Sequence, residues 1–321
     1  MRFRVLAAVA VAAVLTIGLS HGHTRADTPT VRIAVLKFGT VNWLMETVKT
    51  QGLDRAQGFE LDVVPLASGA ATRVAFQAGD ADMLVVDWVW AMRQRTRGLD
   101  LRFSPYSSAL GALVSGSVID LCDMAGKTVG VVGGELDKSW LILQALADRD
   151  CGIDLATETD ALFGAPPLMS RQLQDGAVDA VSTYWHFVAK LEAGGMRPVM
   201  RVRDALDSLG IAPAPPMIGF VWDTARTEAD RARAFLAAIR EAGEVLATDD
   251  AAWDALRPLM RAGSNAEFEA LRQAYRTGIP APWTEAQTDS AGKLYELLAT
   301  RAGAAFSDQA GPFDPAVFQG P

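Results

Sequence analysis

A twelve-residue figure occurs twice in this chain. Gln77-Ala-Gly-Asp-Ala-Asp-Met-Leu-Val-Val-Asp-Trp88 and Gln174-Asp-Gly-Ala-Val-Asp-Ala-Val-Ser-Thr-Tyr-Trp185 align without a gap. They are identical at Gln77/Gln174, Gly79/Gly176, Asp82/Asp179 and Trp88/Trp185. Each copy reads as a helix end, a glycine turn, an aspartate, a short apolar strand and a tryptophan. The figure implies two similar lobes, each running a strand toward a shared cleft. The competing reading is a chance match between two ordinary βα units, and two copies do not make a repeat array.

The surrounding pattern has the same rhythm. Strand-type runs at Val31–Lys37, Phe59–Pro65 and Asp82–Asp87 alternate with helical segments, which argues a parallel sheet covered on both faces. Two hydrophobic strands near Leu101–Tyr106 and Leu110–Ser115 have no helix between them and suggest a crossover. The rhythm restarts at Thr128–Val132 and continues to a strand near Pro198–Val202. Pro213-Ala-Pro-Pro216 marks a non-helical return, because proline ends helices and breaks central strands. Ile218–Trp222 reads as a further strand, and 227–301 is helical by its spacing of three and four. The first lobe is thus expected from residues 27–117 and 203–321, with the C-terminal helices packed on it. The second is expected from 118–202.

At the N-terminus Arg2 and Arg4 precede an apolar run, Val5–Leu19, and then Thr24-Arg25-Ala26. This is the pattern of a secretory signal peptide cleaved near Ala26, residues 1–26. The run falls short of the ~20 residues a membrane span needs, so export without an anchor is expected. Loss of Arg2, Arg4 and Arg25, with no acid, moves the formal net charge from −8 to −11. Such a chain has no general attraction for nucleic acid or anionic membrane. His186 becomes the only histidine after cleavage.

An oxidising compartment permits Cys122 and Cys151 to pair. Both fall at one end of one expected βα unit, so a disulfide is expected, the alternative being two buried thiols.

In order along the chain, several stretches resemble the periplasmic substrate-binding proteins of ABC importers, in the nitrate, sulfonate, taurine and thiamine-precursor group. They are Val31–Phe38, Ser68-Gly69-Ala70 with the Ala-Gly-Asp-Ala-Asp turn, Asp120 to Lys127, Gly176–Asp179 with Tyr184-Trp185, and Pro312 to Phe318. The resemblance implies an α/β, two-lobed periplasmic-binding-protein fold, each lobe a mainly parallel sheet flanked by helices, with a helical C-terminal region. It also implies a periplasmic monomer that closes by a hinge on a small solute and hands it to an ABC permease and its ATPase. A sensor or accessory protein that docks to a partner without transport is the alternative.

Ligands in open parallel sheets bind beyond the carboxyl ends of the strands. That rule selects Gly39, Asn42 and Trp43, then Ser68, Gly69 and Ala70, then Asp87 and Trp88 in the first lobe. In the second it selects Gly134, Asp137 and Ser139, then Pro166, then Tyr184 and Trp185. Tryptophans at three such ends suit a planar or partly apolar ligand, inter-lobe packing being the other reading. Asp87 and Asp137 favour a cationic or hydrogen-bond-donating solute such as an amine or aminopyrimidine, unless they are solvated loop residues. Hinge motion is expected near Ser115–Ile119 and Arg203–Pro216. No G-x-x-x-x-G-K-[ST] or G-x-S-x-G motif and no CxxC pair occurs, so an enzyme, a metal site and a cofactor are not expected.

Overall fold

The computed structural model describes residues 28–117, 120–306 and 311–318; the expected export segment lies outside them. The chain begins with β1 (Thr30–Leu36), α1 (Val41–Thr50), the short α2 (Leu53–Ala56), β2 (Glu60–Leu66), α3 (Gly69–Ala78), β3 (Met83–Asp87) and α4 (Trp88–Arg95). Next come β4 (Leu101–Ser107), β5 (Ala112–Ser115), β6 (Thr128–Val132), α5 (Lys138–Cys151), α6 (Leu155–Glu158), β7 (Asp160–Gly164) and α7 (Pro166–Gln174). β8 (Ala180–Thr183), α8 (Trp185–Ala193), β9 (Arg197–Arg201), α9 (Val202–Ser208) and β10 (Ile218–Asp223) follow. The end of the chain is α10 (Ala229–Thr248), α11 (Asp250–Met260), α12 (Asn265–Thr277), α13 (Glu285–Ala302) and a 3-10 turn at Pro315–Phe318.

Two five-stranded sheets result, ordered β2-β1-β3-β10-β4 and β7-β6-β8-β5-β9. In each, four strands run one way and one runs against them: β10 in the first sheet, β5 in the second. Both odd strands are the ones that arrive from the other sheet. A chain that crosses at the cleft must enter its new strand from the cleft side, and so it runs opposite to strands whose carboxyl ends face that cleft. The expected two-lobed α/β architecture with mainly parallel sheets is therefore the observed one.

The lobe boundaries differ from those read in the sequence. β5 pairs with β8 and β9, so the chain leaves the first sheet between 107 and 112, ahead of residue 117. α9 packs on α5, which moves the return crossing from 203 to 209–217. β4 mixes apolar residues with Arg102, Ser104 and Ser107 and β5 is a short, largely apolar run, and nothing within either states which sheet it joins. The crossing expected near Ser115–Ile119 lies instead at 108–111, ahead of β5. The C-terminal helices are not confined to the first lobe either. α10 and α11 pack on α1, but α12 packs on α8 and α13 on α5 of the second lobe. Arg301 on α13 reinforces the second contact, with Asp148 at 2.7 Å and Asp154 at 3.2 Å.

The duplicated figure has one structural meaning in both lobes. Asp82 Oδ2 accepts the backbone N–H of Arg32 in β1 at 2.8 Å, and Asp179 Oδ2 accepts that of Thr128 in β6 at 2.8 Å. Each aspartate thereby registers its strand against the neighbouring parallel one. Gly79 and Gly176 stand at φ 85° and 71°, the left-handed turn that releases the chain from the preceding helix. The disulfide forms between Cys122 and Cys151, with Cα atoms 5.2 Å apart, and ties the turn before β6 to the last residue of α5.

Candidate functional site

The carboxyl ends of the parallel strands of both sheets meet around a cleft of about 460 Å³. The first lobe contributes Gly39 after β1, Gly69 and Arg73 on α3, Asp87 after β3, and Tyr106 at the end of β4. The second contributes Gly133, Asp137, Lys138 and Ser139 after β6, and Tyr184, Trp185 and His186 after β8. Backbone geometry shapes this rim. Gly133 stands at φ 97°, and a Cβ there would come within 2.5 Å of Asp137 Oδ2, so only glycine lets the capping carboxylate fold back against the turn.

Both acids of the cleft already serve as helix caps. Asp87 Oδ1 accepts the Trp90 N–H of α4 at 2.9 Å and stands 3.3 Å from Lys138 Nζ. This ion pair joins the two lobes across the cleft. Burial pushes the Asp87 carboxyl up, but Lys138, the Trp90 N–H and Arg73 together outweigh it and hold the group below the usual carboxylate range. Asp137 Oδ1 accepts the Ser139 and Trp140 N–H groups at 2.9 and 3.3 Å. There burial prevails over Lys138 and the cap bonds, and the carboxyl is raised. The Tyr184 phenol is pushed up to about 12 by burial and by Asp137 and Asp87, so it remains a neutral donor. His186 is lowered to about 4 by burial and by Lys190, so its imidazole is neutral at pH 7. Tyr106 donates to Thr40 Oγ1 at 3.0 Å.

Arg73 differs from the other charged groups. Its Nε is buried and, among the described residues, has no hydrogen-bond partner, although the side chain lines the cleft. A guanidinium carries five N–H donors in a fixed fork, so an acceptor placed in the cleft finds donors that the fold has left unused. The preference for a cationic solute read from Asp87 and Asp137 loses its basis. Those carboxylates are engaged by helix N-termini and Lys138, while the spare hydrogen-bonding capacity is cationic.

The expected residues fall into three groups. Gly39, Gly69, Asp87, Asp137, Ser139, Tyr184 and Trp185 line the cleft. Asn42, Trp43 and Pro166 line an adjoining chamber of about 760 Å³ instead. The Asn42 amide is spent on the carbonyls of Leu36 and Gly39, at 2.8 and 2.7 Å. Trp43 is buried, edge-on to Trp253 at 5.9 Å and Trp185 at 6.1 Å. The third group, Ser68, Ala70, Trp88 and Gly134, lines neither space. Ser68 is the cap of α3, accepting the Ala71 N–H at 3.1 Å. Ala70, on the same helix, is exposed outside both spaces, and Gly133 takes the rim position expected of Gly134. Trp88 is fully buried against Phe313 and Phe318, because the C-terminal segment folds beneath α4 and supplies an aromatic partner far away in sequence.

Sequence reasoning missed Arg73, Tyr106, Lys138 and His186 as cleft residues. A signal for Arg73 existed: it lies four residues after Gly69, on the same helical face.

No family model matches the sequence, and no curated protein matches it. Solved structures share its fold. The periplasmic aliphatic sulphonate binding protein SsuA from Escherichia coli superposes with a TM-score of 0.69 at 15% identity, over 91% of this chain and 92% of that one. The ligand binding component of an ABC-type import system from Staphylococcus aureus, with zinc bound, gives 0.66 at 14% identity, over 91% and 97%. The alkanesulfonate-binding protein SsuA from Xanthomonas axonopodis pv. citri, bound to MOPS, gives 0.65 at 15% identity, over 86% and 94%. At these identities the likeness is one of fold.

Proposed function

We propose that this protein is the solute-binding component of an ABC importer, acting in the periplasm after cleavage near Ala26. In this reading it captures a small organic molecule between its lobes and presents it to a permease coupled to an ATPase. One observation carries the reading: a single cleft takes its walls from the strand ends of both sheets, with hydrogen-bonding groups from each side and the Asp87–Lys138 pair between them. Closure would turn about the two crossings, 108–111 and 209–217. The solved proteins that share the fold are described as binding proteins, two of them for sulfonates and one as part of an importer, which agrees with a binding role. No catalytic constellation is needed to account for the cleft. Its aromatic walls, Tyr106, Tyr184 and Trp185, suit a partly apolar body, and Arg73 suits an acceptor on it.

A thermal-shift screen of sulfonates, carboxylates, pyrimidines and amines tests the reading. A solute at 100 times its dissociation constant adds about 2.7 kcal/mol to stability. At least one compound bearing an acceptor group is expected to raise the unfolding temperature, and Arg73→Ala is expected to abolish that rise. A screen with no shift in any class would leave an accessory protein without a solute.

A further inference from the structure

The strands at the ends of the two sheets are β2 and β4 in the first, β7 and β9 in the second. An end strand offers a row of unpaired N–H and C=O groups, which folds blunt with charge, proline, a bulge or a cover. β2 carries Glu60, Asp62 and Pro65, and the Pro315–Phe318 turn lies against β4. β9 carries Arg197, Pro198 and Arg201 and breaks register against β5. β7 has none of these devices beyond Asp160, its first residue. Its Leu162 is 38% exposed and Phe163 44%, so apolar side chains stand bare on both faces of one edge.

Backbone alternation decides which groups of β7 are free. The Asp160 N–H donates to the Lys127 carbonyl at 2.9 Å, so Asp160, Leu162 and Gly164 turn their amides toward β6. Ala161 and Phe163 turn theirs outward. Gly164 lies against Met169 of α7, so Leu162 and Asp160, two and four residues earlier, face α7 as well. α7 begins without a side-chain cap, with no acid in its first turn, and with Pro166 and Pro167 in place of its first N–H donors. Its N-terminus therefore carries partial positive charge with no anion of its own beside it. Among the described residues the Asp160 carboxylate has no ion-pair partner. It stands about 13 Å along β7 from the start of α7, too far to cap that helix itself. An antiparallel copy of β7 brings the two together.

We infer that β7 is a self-pairing edge: two copies of this chain join antiparallel through Asp160–Gly164, about a two-fold axis at Leu162. In that register Ala161 of one copy and Phe163 of the other are directly opposed and exchange their outward N–H and C=O groups. Leu162 meets Leu162, and Phe163 lies over Ala161, a large side chain over a small one. Each Asp160 comes opposite the other copy's Gly164, beside the uncapped start of α7, which supplies the charge complementarity. Five residues a side fall short of the ~20 of a stable interface, so the dimer is weak and forms at high concentration. No residue of 160–164 lines the cleft or the chamber, and the inference does not depend on the transport reading.

Oxidative cross-linking of Leu162→Cys with copper phenanthroline tests the register. Directly opposed residues of a non-hydrogen-bonded pair have Cα atoms about 4.5 Å apart, within the span of a disulfide. A covalent dimer linked through position 162, identified by mass spectrometry, is expected at least tenfold faster than from Val74→Cys, which is exposed on α3. Sedimentation velocity of the wild-type protein between about 5 and about 500 μM is expected to show a dimer that grows with concentration. Phe163→Lys is expected to weaken it at least tenfold, and so is Ala161→Pro, which removes only an outward N–H. Asp160→Lys, which reverses the charge brought to α7, is expected to weaken it severalfold; unchanged circular dichroism shows that the variants are folded. A protein that stays monomeric throughout overturns the pairing and leaves the edge to a strand of some other protein. Cross-linking at 162 no faster than at 74 overturns the register, and a dimer that Phe163→Lys leaves intact overturns β7 as the contact.

Discussion

Removing the Cys122–Cys151 disulfide should cost stability while sparing the cleft. The bond closes a loop with a sequence separation of 29. In the chain-entropy treatment, such a loop restricts the unfolded ensemble by about 3–4 kcal/mol at 25 °C. Cys122→Ser/Cys151→Ser should therefore lower the urea midpoint by about 1 M, for a slope near 3 kcal/mol/M. Its effect on the cleft follows from helix geometry. α5 spans Lys138–Cys151, so the disulfide lies at one end and Asp137, Lys138 and Ser139 at the other, about 20 Å apart. The cleft end is held separately, by the Asp137 cap and by Trp140 and Leu141 in the core. The assay pairs urea unfolding, followed by tryptophan fluorescence, with titration of the best solute from the screen. The expected result is the midpoint shift with affinity changed less than threefold. A loss below 1 kcal/mol would refute the loop argument, and an affinity loss above tenfold would refute the independence of the two ends of α5.

Asp100 is held at about 2 by the Thr224 hydroxyl, against some burial, and by Arg95 and Arg102. A depressed carboxyl contributes stability above its unfolded pKa and loses it as pH falls through the folded value, so unfolding should ease between about pH 4 and 2; Asp100→Asn should flatten that limb of a urea-midpoint profile. His186, lowered to about 4, favours the folded state only while neutral. That contribution should be present above about pH 6.5 and fade as pH falls toward 4, and a proton NMR titration of its ring with a midpoint near 6.5 would contradict the burial described. Trp88→Ala should cost about 3–5 kcal/mol in urea unfolding, because the ring is fully buried against Phe313 and Phe318. Tyr184→Ala, at a side chain 38% exposed, should cost far less stability and show its effect in solute affinity. Equal stability losses would contradict the different placement of the two residues.

The parts of the fold that could be read from the chain are those encoded locally. Helix and strand periods, the glycine turns and the paired aspartates gave two lobes, and the cysteine placement gave the disulfide. Sheet membership was not local. Neither β4 nor β5 carries a pattern that names its sheet, and only pairing across the molecule assigns Ala112–Ser115 to the second sheet. The candidate site divides in the same way. Gly39, Asp87, Asp137, Tyr184 and Trp185 follow from one rule about strand ends, which needs no tertiary contact. Trp88 obeys the same rule but is claimed by Phe313 and Phe318, more than two hundred residues later. Its repeat partner Trp185 meets Trp43 and Tyr275 and keeps one side on the cleft. The spacing from Gly69 could place Arg73 but not weigh it, since its importance lies in an Nε with no hydrogen-bond partner among the described residues, which no local pattern encodes.

The claim on which the rest stands is that one solute is gripped from both lobes at once. Titrating the solute found by the screen into the wild type, Arg73→Ala of the first lobe and Lys138→Ala of the second measures this directly. Each single variant should weaken binding at least tenfold without a matching loss of unfolding temperature. If either variant binds as tightly as the wild type, that lobe does not touch the solute and the cleft is not where it is held.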